Sequence, residues 1–531
     1  MLSEGLAAYL ANYDNYCSEQ FVSAAVPRLF AAKWLSLQAL TSARHAPPPN
    51  ADAANAEAIR RFLEVLRTRQ NSQGGFGVWS ATPDADPFVS AYAMHVLIDA
   101  LARGVTVPGD ILDAGNTFLA QLAADDGLGT FDQLRQRAYA VYLLTREGNV
   151  TTNLLAAVQK RLQDAYPNQW KSDLAAAWLA ASYQLLKQGK AAAALIAGPQ
   201  ALLERKPAPD EAFEHGYYID PLTRDASVLY LLARHFPERA GKLSPRVLDN
   251  LARPLQQNRY NTLSSAMTIL ALEAYAGTHA DSLDKLAIRE VLAGGEPKDI
   301  SSPRAGLMRG AAWSAAATRV DIVNGSAQPA WWVASQSGYD RAASTRTIKD
   351  GLEIVREYTG RDGKALDRIT LGDEIEVHLK IRATGSASVG DVAIVDLLPG
   401  GFDPVLTPPP APADDAQDGS GDANGQGGQG GQGGAESSDA AAGDAPASDA
   451  AWRSPIGTAG STWQPRYADI RDDRVVIYGS ASTEVREFVY RIKASNAGSY
   501  VVPPAYGESM YDRRLQAQSP GGATLTVQRA P

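Results

Sequence analysis

Cysteine is almost absent: one, Cys17, stands in 531 residues. A lone cysteine excludes an internal disulfide framework and a zinc site built on several thiolates. It is either a small buried filler or a reactive group, and its neighbours decide which. Histidine is also sparse. The six (His45, His95, His215, His235, His279 and His378) form neither His-x-x-x-His nor His-Glu-x-x-His, so no zinc hydrolase, metal or cofactor is expected. No run of about 18 apolar residues occurs, which leaves no helix to span a membrane. Residues 1–25 lack a basic start followed by an apolar stretch, so no signal peptide is read there. Excess positive charge is missing too. The formal charge is −9, but residues 408–450 hold eight acids and no Lys or Arg; removing those eight leaves −1 for the remainder. A near-neutral remainder gives no nucleic-acid footprint. The apolar fraction of 45% and charged fraction of 21% are those of an ordinary globular chain, here long enough for about three or four domains.

Residues 1–280 read as helical, with Ala, Leu, Gln, Glu and Arg dominant and apolar residues at helical spacing. Leu174, Trp178, Ala181 and Leu185 share one stripe; Val228, Leu231, Leu232 and His235 share another. Tyr139, Tyr142 and Leu143 form a third, with Arg137 and Arg146 expected outside it. Aromatic or Gly-rich turns precede these helices: Gly74-Gly75-Phe76-Gly77-Val78-Trp79, Gly127-Leu128-Gly129-Thr130-Phe131, Gln169-Trp170, Gly216-Tyr217-Tyr218 and Arg259-Tyr260-Asn261. Helices are expected to start near Phe88, Gln133, Ser172, Thr223 and Thr262. The period of about 45–50 residues suits a helical hairpin, and five or six hairpins close into an α/α toroid with its loops on one face. His95 and His235 sit on or beside apolar stripes and read as core residues. His215, just before Tyr217, is placed near the toroid face.

Beyond residue 280 the period changes. Glu374 to Ile381 alternates with period two, as a half-buried strand does. Val320–Val323, Val392–Leu397, Val475–Tyr478, Val485–Ile492 and Thr524–Val527 add short β-rich runs separated by Gly and Pro. The sum predicts an antiparallel sandwich, with a smaller β portion at 281–345. Trp331-Trp332 reads as core or an interdomain contact. Residues 408–450 interrupt the sandwich with Pro408-Pro409-Pro410 and ten glycines in 43 residues. With almost nothing to bury, that segment is expected to be a disordered surface insertion.

Chemistry is concentrated at Cys17-Ser18-Glu19-Gln20. A Cys and a Gln three residues apart meet across one helical turn. A thiolate that attacks the Gln carboxamide carbon and expels ammonia closes an internal thioester, a good acyl donor that survives only where water is excluded. On these four residues alone, the ordinary reading of Cys17 is a small buried hydrophobe.

Other residues extend the pattern. Gly5-Leu6-x-x-Tyr9-Leu10, Tyr13, Cys17-Ser18-Glu19-Gln20, Gly74 to Trp79 and Asn261-Thr262-x-x-Ser265-Ala266 stand in the helical part. Leu371-Gly372-Asp373, Val395 to Phe402 and Glu508-Ser509-Met510-Tyr511-Asp512 stand in the last domain. In this order the chain resembles the C-terminal part of a bacterial alpha-2-macroglobulin, of the complement/alpha-2-macroglobulin thioester superfamily. The resemblance covers nearly everything except 408–450. It implies a multidomain α + β chain: a thioester-containing α/α toroid at 1–280, a CUB-like β portion at 281–345, and a terminal macroglobulin-like β-sandwich at 346–531 carrying the insertion. It implies that Cys17 supplies the sulfur and Gln20 the acyl group, within a motif completed by Ser18 and Glu19. Tyr13, Met510 and Tyr511 then shield the bond.

The family's activity is single-use protease trapping. A cut bait region releases the shield, a protease lysine attacks the Gln20 carbonyl, and the protease stays covalently attached without turnover. The resemblance also implies a periplasmic or cell-envelope location. The N-terminal macroglobulin domains and bait region of the family are missing here, so the chain is expected to be a fragment or a separately encoded half. Another reading is a non-covalent protein-interaction module in which Cys17 stays a thiol. A third, a terpenoid-cyclase-like toroid enzyme, is suggested by Gln73 to Trp79, which resembles the cyclases' Gln-Trp repeat. Asp-x-Asp-Asp is absent and the helical part has no Asp-Asp-x-x-Asp, and the Gly-rich turn then simply packs adjacent helices.

Overall fold

A computed structural model of the chain describes residues 6–7, 9–10, 17–30, 51–206, 218–276, 285–302, 304–305, 308–325, 332, 342, 344–364, 366, 368–406, 454–458 and 460–529. Tyr13, His45, His215, Gly216-Tyr217, His279, Trp331 and the 408–450 insertion lie outside them. The chain divides into two compact units, Met1–Tyr339 with Met510–Arg514, and Asp340–Ser509 with Leu515–Pro531.

The first unit is built from helices, not all of them started by a side-chain cap. They are α1 (Ser18–Phe30), α2 (Ala51–Arg67), α3 (Pro87–Leu101), α4 (Gly109–Ala124), α5 (Phe131–Arg146) and α6 (Thr152–Ala165), followed by α7 (Leu174–Leu185), α8 (Gly189–Leu203), α9 (Pro221–His235), α10 (Pro237–Ala240), α11 (Arg246–Gln256) and α12 (Thr262–Ala276). Asp86 caps α3 and Asp220 caps α9, each followed by Pro at the first helical position. Thr130 and Gln133 form a capping box on α5, and Asp173 caps α7. The five predicted starts fall within two residues of these. The repeat is shorter than 45–50: the starts at 87, 131, 174, 221 and 262 are 41 to 47 residues apart.

Two concentric rings result. Helices α1, α3, α5, α7, α9 and α12 pack each on the next, and α12 packs back on α1, which closes the circle. These inner helices are buried on nearly all sides: every residue from Phe88 to Ala100 in α3, and from Leu174 to Ser182 in α7. The outer helices are amphipathic, as outer-ring positions require. Helix α6 buries only Leu155, Val158 and Leu162, each worth roughly 1.5–3 kcal/mol on transfer from water. This is the α/α toroid.

Two positively charged residues depart from the sequence reading. Arg137 and Arg146 are not outside the Tyr139 stripe; both are buried. An inner-ring helix has neighbours on both flanks, so the face opposite its apolar stripe is also interior. Arg137 donates to Ala123 O and Asp126, and Arg146 donates to Asp99.

The first unit also holds a small antiparallel sheet of β1 (Leu286–Leu292), β2 (Lys298–Asp299) and β5 (Ala317–Asn324), in the order β2-β1-β5, with a hairpin of β3 (Arg304–Ala305) and β4 (Met308–Arg309). Leu286 is the one buried residue among its described β1, β2 and β5 positions.

The second unit comprises β6 (Ile348–Asp350), β7 (Leu352–Gly360), β8 (Ile369–Thr370), β9 (Glu374–Ala383), β10 (Val389–Leu397), β11 (Phe402–Pro404) and β12 (Tyr467–Ile470). It continues with β13 (Arg474–Ala481), β14 (Arg486–Ala494), β15 (Gly498–Val501), β16 (Ala505–Ser509), β17 (Gln516–Gln518) and β18 (Thr524–Gln528). A six-stranded sheet, β12-β13-β10-β16-β17-β6, and a four-stranded sheet, β11-β14-β9-β7, share one core, with a three-stranded sheet β15-β18-β8 beside them. Alternation works as predicted in β9: Ile375, Val377, Leu379 and Ile381 are buried, and the residues between them are half-exposed. One ladder, β18 with β8, is parallel; the other strand pairs are antiparallel. Asp396, in the Val395-Asp396-Leu397 motif, forms a buried ion pair with Arg356 and accepts from Tyr490 Oη at 2.7 Å. This is the antiparallel β-sandwich that follows the toroid in sequence.

Candidate functional site

Helix α1 begins with a capping arrangement that uses an unusual cap. The Phe21 N–H donates to Cys17 O at 2.8 Å, so Cys17 holds the N-cap position and Gln20 the third helical one. The Cys17 N–H donates to Gln20 Oε1 at 3.2 Å, and the Gln20 N–H supports the Cys17 sulfur. This is the reciprocal geometry of a capping box with a thiol in place of a hydroxyl. The same local preference that starts the helix therefore holds the thiol and the carboxamide of one turn against each other. Both side chains are fully withdrawn from water.

Ser18 fixes this turn to the rest of the toroid. Its N–H donates to Val78 O at 2.6 Å and its Oγ donates to Gly77 O at 2.6 Å. Arg69 Nη1 donates to Ser18 Oγ at 3.3 Å. The Gly74-Gly75-Phe76-Gly77-Val78-Trp79 turn thus does more than pack helices: its carbonyls receive Ser18 of the Cys17–Gln20 motif. Glycine is required there on two counts. Gly74 has φ +88°, and a Cβ on Gly77 would lie 1.9 Å from Ser80 O.

Glu19 is buried and surrounded by hydroxyls. It accepts from Ser23 Oγ at 2.6 Å, from Thr262 Oγ1 at 3.1 and 3.0 Å, and from Tyr511 Oη at 3.3 Å. Burial nonetheless outweighs these donors and pushes its carboxyl up to about 7. Cys17 is shifted in the same direction. Burial first, then the Glu19 charge, push its thiol well above the ordinary value, against the opposing effects of Gln20, Tyr511 and Arg69.

Met510 and Tyr511 stand on the Met510–Arg514 segment that belongs to the first unit. Met510 is buried. The Tyr511 hydroxyl reaches Glu19 and also hydrogen-bonds Cys17, while its ring meets Tyr218 edge-on at 6.0 Å. Tyr218 stacks on Phe88 at 4.4 Å and donates to Asp86 at 3.0 Å. Arg513 lies over the rings of Tyr9 and Tyr260 at 4.6 and 4.8 Å. Of the residues singled out in the sequence, Cys17, Ser18, Glu19, Gln20 and Tyr511 form one connected cluster, and Met510 adjoins it along the chain. Tyr13 lies outside the described residues.

Several members of the cluster escaped the sequence reading. Ser23 follows Glu19 by four residues, so it was within reach by helical spacing. Thr262, Tyr218, Tyr92 and Arg69 carry no local signal. Asn261 and Thr262 were quoted only as part of the family pattern; the structure places Thr262 on Glu19 and Asn261 on Asp220, at 3.2 Å from its Oδ2. Burial pushes Asp220 up to about 6.

A second buried polar group sits deeper in the ring. Asp99 receives Arg146 at 2.5 Å and the Tyr230 hydroxyl at 2.7 and 2.8 Å, with Arg234 at 3.4 Å. His95 Nδ1 meets Tyr139 Oη at 2.6 Å and His235 Nε2 meets Tyr142 Oη at 2.8 Å; burial pushes both imidazoles down to about 3. Both are neutral; His95 is buried in the core and His235 is half-buried beside it. Among the described residues no group of three His, Cys, Asp or Glu side chains is arranged to hold a metal, and no helix is long and apolar enough to cross a membrane.

An inner and outer ring of helices with a Cys-x-x-Gln capping turn, together with a macroglobulin-type sandwich, defines the class to which this chain should be compared. Residues 351–513 match the family described as the bacterial alpha-2-macroglobulin MG10 domain. The alpha-2-macroglobulin homolog of Yersinia pestis is 41% identical over 99% of this chain and 25% of its own length. The alpha-2-macroglobulin of Pasteurella multocida is 34% identical over the same shares. Among solved structures, a crystal structure of a tyrosine-to-glycine mutant of Salmonella alpha-2-macroglobulin superposes with a TM-score of 0.71. It is 20% identical over 99% of this chain and 31% of that one. Native Escherichia coli alpha-2-macroglobulin, from domain MG7 to the C-terminus, gives 0.68 at 21% identity, covering 99% and 75%. The solved structures share the fold. Along nearly its whole length the chain is similar to bacterial alpha-2-macroglobulins, and it spans about a quarter of the length of the curated relatives it matches.

Proposed function

We propose that this chain supplies the thioester and its shield to a single-use protease inhibitor. The observation that carries this reading is the reciprocal Cys17–Gln20 capping turn, buried and covered by Tyr511. Attack of the Cys17 sulfur on the Gln20 carboxamide carbon forms the C–S bond and expels the amide nitrogen as ammonia. A buried thiolate beside Glu19 is a poor resting state, which favours the acylated sulfur. Met510, Tyr511 and Tyr13 keep water from the bond. Withdrawal of the shield admits a lysine amine of a target protease, which takes the acyl group and frees Cys17.

The division into 1–280 (toroid), 281–345 (CUB-like) and 346–531 (terminal sandwich) belongs to this reading. So do a periplasmic or cell-envelope location and a partnership with bait-bearing macroglobulin domains. A Salmonella alpha-2-macroglobulin of the same fold has been crystallised after reaction with methylamine, which supports amine attack as the chemistry to look for here.

The test is incorporation of a fluorescent primary amine into the Tyr511→Gly protein, with the label mapped by peptide analysis. The reading predicts label at Gln20 and none when Cys17→Ala is added. Label elsewhere, or none with Cys17 titrating as a thiol and residue 20 still Gln, would leave the interaction-module reading in its place.

A further inference from the structure

Glu19 is the feature of the site that shielding and acyl donation leave unexplained. A carboxylate is an expensive group to bury at full depth, and glutamine fits the same space. Here it stands between the sulfur and the acyl group in sequence, and one hydroxyl, that of Tyr511, hydrogen-bonds both Glu19 Oε2 and Cys17. The carboxylate oxygen and the sulfur are therefore no further apart than two hydrogen bonds through one atom. An amine nitrogen that replaces the Tyr511 hydroxyl meets both.

Acyl transfer in this site has a proton problem. The attacking amine must lose a proton once its nitrogen bonds the Gln20 carbonyl carbon. The sulfur must gain one as the C–S bond breaks, because burial makes the Cys17 thiolate a poor leaving group. We infer that Glu19 carries this proton, taking it from the attacking amine and returning it to the Cys17 sulfur, with Tyr511 occupying its Oε2 until the amine arrives. The balance closes: amine plus thioester gives amide plus thiol, with one proton moved from nitrogen to sulfur through the carboxylate. Ser23 and Thr262 hold Glu19 Oε1 and Oε2 from α1 and α12, so the carboxylate keeps its place when Tyr511 withdraws.

Among the described residues, the titratable and charged groups facing Glu19 are few: Cys17 on its own segment, Tyr92 from α3 by way of Ser23, Tyr511, and Arg69, which reaches Ser18. Tyr92 is pushed far above its ordinary value by burial and by Glu19 itself, so it stays neutral. Glu19, at about 7, is the group there able to exchange a proton near neutrality. The covering residue thus has a second task, since its hydroxyl blocks the proton carrier as well as the water.

This inference rests on the thioester reading, and the experiment separates the two. The full chain is reacted with trifluoroethylamine, which stays unprotonated across neutral pH, and the second-order release of the Cys17 thiol is followed between about pH 5 and 9. The wild-type rate is expected to rise through an inflection near 7 to a plateau. Glu19→Gln is expected to lose the inflection and to fall at the plateau by about 10²-fold. Glu19→Asp is expected to keep the inflection at an intermediate rate. Circular dichroism verifies that each variant is folded.

An unchanged rate and pH profile in Glu19→Gln overturns the inference while leaving the thioester in place. If Glu19→Gln folds without forming the bond, restoration by Glu19→Asp supports the carboxylate's role, and failure of both overturns it in favour of a packing role. A wild-type chain that releases no thiol overturns both readings.

Discussion

Replacing Glu19 by Gln should stabilise the toroid at neutral and alkaline pH. The carboxyl is buried beneath three hydroxyl donors, yet burial moves it from 4.5 to about 7. The sign follows from linkage. The folded state holds a proton that the unfolded chain has released, so the favourable contribution is complete below about pH 4.5 and is lost as pH rises through 7. The shift corresponds to about 3 kcal/mol, at 1.36 kcal/mol per pH unit. Glutamine carries no charge to desolvate, its carbonyl accepts from the same hydroxyls, and hydroxyls also accept from its amide. The difference between the two proteins should be near zero at pH 4.5 and grow to about 3 kcal/mol in favour of Gln above pH 7. Other raised acids, Asp86 and Asp220, titrate in both proteins and cancel. The assay is urea unfolding of both forms in a Cys17→Ala background, followed by the helical circular-dichroism signal that the toroid supplies. Parallel pH profiles, or a Gln variant less stable at pH 8, would refute the reasoning. Stability gained together with acyl transfer lost would show that the buried carboxylate is kept for chemistry.

Other substitutions test separate parts of the account. Gly74→Ala places a Cβ 2.0 Å from Ala114 O at φ +88°, and should cost more than about 1–3 kcal/mol by thermal melting while weakening the seat of Ser18; an unchanged melting temperature would contradict it. Arg356→Met leaves Asp396 buried with Tyr490 as its main remaining donor, and should destabilise the sandwich by about 3–5 kcal/mol in denaturant unfolding. Ser18→Ala removes the bond to Gly77 and should cost about 1 kcal/mol and raise spontaneous loss of the thioester, followed as thiol appearance. Tyr511→Gly should shorten the thioester lifetime and speed methylamine attack; an unchanged lifetime would remove Tyr511 from the shield.

Much of the architecture was legible because its signals are local. Asp86-Pro87, Thr130-x-x-Gln133, Asp173 and Asp220-Pro221 mark helix starts within a few residues, and Glu374 to Ile381 alternates without interruption. What local pattern cannot reveal is the closing of the ring. Arg146 looks external on its own helix and becomes internal because Asp99, 47 residues earlier, stands on the next inner helix. Glu19 was legible as a motif residue, but its donors Thr262 and Tyr511 lie 243 and 492 residues away. The Cys17–Gln20 contact lies between these cases. Its spacing places the two side chains on one turn, and the fold adds the burial that the proposed thioester requires.

The central claim is the bond itself. Intact mass of the natively purified chain, measured before and after methylamine with thiol titration alongside, tests it most directly. The account predicts a chain lighter than its sequence by one ammonia, with Cys17 silent until methylamine adds to Gln20 and releases the thiol. A full-mass chain with Cys17 titrating from the start and residue 20 still Gln would contradict it.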